Sequence, residues 1–239
     1  MKRQALAALF SLVALGPALL GTAQAGRPVG EVVSPRLLGR TLKYAEFLIE
    51  SPAMRERTDA LGVQRNTYRL GKCIVELGIN DLTVVAVGTY VGYEGCDLNV
   101  SEWVQRKGAK ASKTRLKDYA HWGPLHFTDA QLPSCNACGE GGVSALIDGT
   151  SVMGNYEIQL VADGEAQARS EWRDLLAKAG VDGDSLPLTG MGCPLRQFDA
   201  QAFNLMKDYL VSSIAFGKRG ALQPACSGKA VHSLILRGQ

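Results

Sequence analysis

The chain has 239 residues, with 26 lysines and arginines against 23 aspartates and glutamates and 46 % hydrophobic residues. That length suffices for one substantial core or two small ones. The near balance of charge argues against a protein that holds nucleic acid by neutralising phosphates.

Lys2 and Arg3 form a short positive start, followed by an apolar stretch from Ala5 to Leu20 that only Ser11 and Gly16-Pro17 interrupt. Ala23-Gln24-Ala25 then supplies the small-x-small pattern of a signal-peptidase site. The expectation is a signal peptide over residues 1–25, cleaved after Ala25. The apolar stretch is too short to cross a bilayer comfortably, and no later run reaches the required length. The first cysteine is Cys73, far from the cleavage site, so a lipid anchor is not expected. Residues 26–239 read as a single soluble domain without a transmembrane segment, periplasmic or secreted.

Within that domain Ser34-Pro35 is a helix-start pair, and Leu38, Leu42, Ala45 and Ile49 follow at helical spacing. Ser51-Pro52 suggests a second short helix to Gly62, and Leu70, Ile74 and Leu77 a third from Gln64 to Gly78. Residues 82–91 are rich in β-branched types and fit either a buried strand or a buried helix. Asn99 with Glu102 opens a short helix carrying Trp103 and Val104, and residues 112–121 look helical again. From His121 to Gly142, proline, glycine and cysteine suggest a long cross-linked loop.

Tyr156, Ile158 and Leu160 alternate with polar residues and make the best strand candidate. A helix is expected from Glu165 to Ala179, with Ala168, Trp172, Leu175 and Ala179 on one face. A last helix, capped by Asp199 with Phe198 stapled on Phe203, carries Met206, Leu210 and Ile214 to Gly217. The fold class expected from these elements is α+β and α-rich: a helical single domain with a minor β element, cross-linked by disulfides.

The six cysteines, Cys73, Cys96, Cys135, Cys138, Cys193 and Cys226, are an even set in an exported chain and are all disulfide candidates. Their connectivity stays open. Cys135-Asn136-Ala137-Cys138 can also serve as a redox pair or, with His121 and His126, as a zinc site. The glycines after Cys138 do not suit the helix that a redox thiolate needs, and an oxidising compartment favours bridges over zinc. No metal and no cofactor is expected.

Cys96, with Asp118 and His121 three residues apart on one helix face, offers the nucleophile, orienter and base of a cysteine hydrolase. Tyr93-Glu94-Gly95-Cys96-Asp97, leading to Trp103 and Val104, resembles over about ten residues the nucleophile region of papain-like cell-wall peptidases. The Cys-Ser-Gly run usual there is missing, and the sequence pattern marks no clear histidine-containing strand after it. Glu46 and Glu50, or Glu94, Asp97 and Glu140, supply carboxylates for a glycosidase, with Trp103, Trp122 and Trp172 as possible sugar platforms. None of these spacings is diagnostic. The expectation is an exported cell-envelope binding protein of inhibitor, immunity or accessory type, working through contact with a protein partner. The alternative is a cell-wall-directed hydrolase, either a peptidoglycan glycosidase or a peptidase.

Overall fold

The computed structural model describes residues 27–59, 61–129, 143–147, 156–162, 166–178 and 196–222. The expected signal peptide lies outside them, as do Cys135, Cys138, Cys193 and Cys226.

Eight strands form one sheet in the order β1-β2-β3-β4-β8-β7-β6-β5, every neighbour antiparallel. The strands are β1 Arg55–Thr58, β2 Gln64–Leu70, β3 Cys73–Asn80, β4 Thr83–Tyr90, β5 Leu125–Asp129, β6 Val143–Ile147, β7 Tyr156–Ala162 and β8 Val211–Lys218. Two four-stranded meanders thus meet edge to edge at β4 and β8. The helices are α1 Val29–Val32, α2 Leu42–Ile49, α3 Ser101–Val104, α4 Ala166–Lys178 and α5 Asp199–Met206, with 3-10 turns at Pro35–Leu37, Ala111–Lys113, Leu116–Trp122 and Arg196–Phe198.

This architecture overturns the α-rich expectation. The decisive stretch is residues 64–80. Leu70, Ile74 and Leu77 stand at helical spacing, yet Tyr68, Leu70, Cys73, Val75 and Leu77 keep a period of two that a tight turn at Gly71-Lys72 carries across a hairpin. Gly71 takes φ +61°, the left-handed backbone that glycine adopts without steric cost. Both spacings are present, and only one lets every backbone amide pair with a neighbouring strand while burying the apolar face.

The short helix expected over 51–62 is likewise replaced by β1, and residues 82–91 are resolved as β4. The long C-terminal helix is cut at Met206. Beyond it Ile214 and Phe216 are buried in β8, while Leu210, placed on the expected stripe, is 47 % exposed. Helices at 101–104, 166–178 and 199–206 and the strand at 156–162 stand where expected. The helix expected from Ser34-Pro35 begins only at Leu42, that pair opening a 3-10 turn, and the loop expected from His121 contains β5.

The described helices lie on one face of the sheet. Val29, Ala45 and Ile49 from the N-terminal helices and Trp172, Leu176, Ala202 and Met206 from α4 and α5 share one core with Tyr68, Leu77, Phe127, Ile158, Leu160 and Phe216. Trp103 of α3 packs on Phe216, ring centroids 4.6 Å apart. Burial pushes the Tyr68 phenol up to about 12, with its hydroxyl held between Asn66 and the Glu46 carboxylate. Burial also raises Tyr119, whose hydroxyl meets Thr114.

A disulfide joins Cys73 to Cys96, 23 residues apart, and ties the start of β3 to the loop after β4. No helix among the described residues is long and apolar enough to cross a membrane.

Candidate functional site

Strand alternation sends every second side chain to the face opposite the helices. The register reads off one row across it: Arg55, Thr67, Glu76, Gly88, Ala215, Gln159, Leu146 and His126 from β1 through β5. A second row runs Arg57, Arg65, Gly78, Ala86, Gly217 and Glu157.

Exposure divides this face in two. Over β6 and β7, Ser144, Leu146, Glu157 and Val161 are all buried. Over β1 to β4 the surface is accessible in part: Arg55 and Arg69 are exposed, Arg57, Ile74, Glu76, Gly88 and Tyr90 are half-buried, and Arg65, Thr67, Gly78 and Ala86 are buried. Tyr90 continues into Tyr93, ring centroids 4.9 Å apart, and Tyr93 is 58 % exposed.

A strap after β8 crosses the second row from β7 to β2. Arg65 Nε donates to Asp59 at 2.7 Å, and its Nη2 donates to the Ala221 carbonyl at 2.6 Å. The Gly220 amide donates to Glu157 Oε1 at 3.1 Å. Both strap anchors are charged groups drawn out of water. They are tolerated there because each carries a partner, and stranding either would be costly.

Glycine makes the arrangement possible at Gly78. A Cβ there would stand 2.7 Å from Arg65 Nη1 and 2.9 Å from the Ala86 Cβ, so the missing side chain is the channel through which Arg65 crosses β3. At Gly88 a Cβ would meet the Ala215 Cβ at 2.8 Å, which leaves a floor of small residues between Glu76 and Gln159. Arg57 pairs with Glu76 at 3.2 Å, and Gln159 donates to Ser144 Oγ at 2.7 Å.

The residues expected to form a thiol site are not assembled as one. Cys96 is bonded to Cys73, and a sulfur in a disulfide is not the thiolate that attacks a carbonyl. The Asp118 carboxylate accepts from the Arg115 amide at 2.8 Å and lies 3.8 Å from Arg106, closing the capping box of the turn Leu116–Trp122 from its third residue. His121 is exposed, its Nδ1 3.1 Å from the Asp118 carbonyl and not shown on that carboxylate. Of the six disulfide candidates, Cys73 and Cys96 form the described bridge, and the other four lie outside the described residues.

Of the carboxylates raised for a glycosidase, Glu140 lies outside the described residues, Glu94 is exposed, and three have other partners. Glu46 accepts from the Tyr68 hydroxyl, Glu50 faces Arg27 at 3.5 Å, and Asp97 accepts from Ser112. Trp172 is fully buried and belongs to the core, while the Trp122 indole donates to the Trp103 carbonyl. Among the described residues no three His, Cys, Asp or Glu side chains cluster to hold a metal. His126 instead pairs with Asp199, Nδ1 to Oδ2 at 2.7 Å, and the other Asp199 oxygen accepts the Phe127 amide at 2.9 Å. Asp199, expected as a helix cap, thus ties α5 to strand β5 at the sheet's edge.

No protein-family model matches this chain, and no curated protein matches it. Among solved structures, the crystal structure of a cysteine-rich secretory protein from Staphylococcus aureus subsp. aureus Mu50 is similar at a TM-score of 0.38 and 11 % identity. The likeness covers 83 % of this chain and 50 % of that one, so the chain spans about half the length of the staphylococcal protein.

The surface that sequence reasoning missed is Arg55, Arg69 and Ile74. Its signal was the placing of Arg55 with Arg57, and of Arg65 with Arg69, at even spacings along strands whose other face is buried. Read as helices, these segments send Arg55 and Arg57 to different faces and leave Arg65 and Arg69 on one face of a separate helix, so the four lose their common surface.

Proposed function

We propose that the chain is an exported binding protein of inhibitor, immunity or accessory type, and that it engages a protein partner of the cell envelope through the accessible half of the sheet face opposite the described helices. The observation that carries this reading is that half-face itself. Strands β1 to β4 present arginine, tyrosine and isoleucine side chains over a rigid floor, with the helices on the far side. Arginine and tyrosine are enriched at protein interfaces because they combine large contact area with directed hydrogen bonds. A sheet holds such groups in fixed positions, which lowers the ordering cost of association.

The disulfide and the signal-like N-terminus support maturation in an oxidising compartment, periplasmic or secreted. The thiol route of the hydrolase alternative loses its nucleophile to the same disulfide.

A photo-crosslinking residue placed at Ile74, compared with one at Lys43 on α2, tests the proposal in cell-envelope extract. The expected result is one stoichiometric protein adduct from position 74 and none from position 43. Adducts from position 43 alone, or peptidoglycan cleavage by the purified protein, would refute it.

A further inference from the structure

We infer that the partner presents an acidic extended segment to this half-face, received by Arg55 and Arg69; this rests on the binding reading above. Four arginines, Arg55, Arg57, Arg65 and Arg69, point to the same side of β1 and β2. Arg57 and Arg65 are directly opposite one another, a like-charge pair that would repel without compensation. Each is compensated inside the fold, Arg57 by Glu76 at 3.2 Å and Arg65 by Asp59 at 2.7 Å.

Arg55 and Arg69 are different. Both are exposed, and neither makes an ion pair among the described residues. Among the described residues, the acidic side chains paired on this half-face, Glu76 and Asp59, are already held by Arg57 and Arg65. The surface therefore carries two uncompensated guanidinium groups, with Lys72 exposed at the neighbouring turn.

Their spacing defines the ligand. Arg55 stands opposite Thr67, and Arg69 lies two residues further along β2, which makes the two arginines diagonal neighbours. Diagonal positions on a sheet are roughly 7–8 Å apart. Alternate residues of an extended chain are separated by about 7 Å, twice the strand rise. Carboxylates at positions i and i+2 of an extended segment match the two guanidiniums one to one. A guanidinium receives a carboxylate through two parallel N–H donors, which fixes orientation as well as charge.

The probe is a fluorescein-labelled Thr-Glu-Thr-Glu-Thr-Glu peptide, set against its Thr-Gln-Thr-Gln-Thr-Gln counterpart, with the full disulfide-bonded protein and anisotropy as readout. Two partly exposed ion pairs predict that the Glu peptide binds roughly five- to tenfold more tightly. The preference should fade between about 20 and 200 mM salt. The double variant R55Q/R69Q should lose it, and R40Q, on the helical side over Tyr44, should keep it. Equal binding of the two peptides, or an unchanged preference in R55Q/R69Q, would overturn the inference. So would phosphatidylglycerol vesicles that outcompete the Glu peptide through the same two arginines. A partner captured at Ile74 whose affinity ignores R55Q/R69Q would retain the binding surface and refute its charge preference. Loss of peptide binding in R55Q/R69Q with no adduct at Ile74 would do the reverse.

Discussion

Replacing Gly78 with alanine tests whether Arg65 really crosses the sheet through the space that glycine leaves. The new Cβ would sit 2.7 Å from Arg65 Nη1, 2.9 Å from the Ala86 Cβ and 3.2 Å from Val63 Cγ1. Arg65 cannot simply withdraw, because Asp59 at 2.7 Å and the Ala221 carbonyl at 2.6 Å hold its far end and its side chain is only 7 % exposed. Gly78 does not occupy the left-handed region, so alanine meets no backbone penalty there. In open space the change would stabilise the strand by about 0.5–1 kcal/mol through the unfolded chain. Overpacking reverses the sign, with a cost of about 1–3 kcal/mol. For a chain of this size that lowers the melting midpoint by roughly 2–10 °C. The assay is thermal unfolding followed by circular dichroism, with urea titration as a second reading. G78A/A86G, which removes the Cβ–Cβ contact, should recover part of the loss. A G78A midpoint equal to or above the parent's would refute the threaded arginine and the strap it anchors.

Removing the Cys73–Cys96 bridge as C73S/C96S should cost about 3 kcal/mol in urea unfolding, the loop entropy expected for a separation of 23 residues. An effect below about 1 kcal/mol would contradict a constraining role for this link. The Tyr68 phenol is neutral in the folded protein up to about 12, whereas an unfolded tyrosine ionises near its ordinary value. Its contribution is therefore fully present below about pH 10 and lost as pH rises toward 12, so unfolding should become easier across that window. Y68F should flatten this alkaline loss, and an unaltered profile in that variant would count against it. Asp199→Ala leaves both the Phe127 amide and His126 Nδ1 without their acceptor and should destabilise the protein by about 1–3 kcal/mol. Hydrogen exchange should show faster exchange at Phe127, and an unchanged rate there would argue against the edge tie.

The isolated elements were legible where one periodicity stood alone. Residues 42–49 bury Ala45 and Ile49 four apart, and residues 156–162 alternate without a competing helical stripe. Residues 64–80 misled because their apolar spacing satisfies both periods, and the turn that decides between them is only the two residues Gly71-Lys72. The Met206–Leu210–Ile214 stripe failed for a different reason. It runs across a helix end, a turn and a strand, so three apolar residues at spacing four do not share one face.

The sheet topology joining β4 to β8 was beyond reach of local pattern, because their pairing partners lie more than a hundred residues apart. The candidate surface depended on that sheet and went unseen with it. Charged residues acquire a common face only once the strand register is known. The chemistry sought around Cys96 followed from residue types alone, and pairing with Cys73 is a tertiary fact that residue types do not contain.

Methyl NMR of the isoleucines, recorded on the protein with its captured envelope partner, addresses the binding face most directly. Ile74 lies on the face opposite the described helices, whereas Ile49 is buried on the core side of α2. Partner binding should shift or broaden the Ile74 methyl signals and leave Ile49 in place. A complex in which Ile74 stays silent while Ile49 responds would contradict the account.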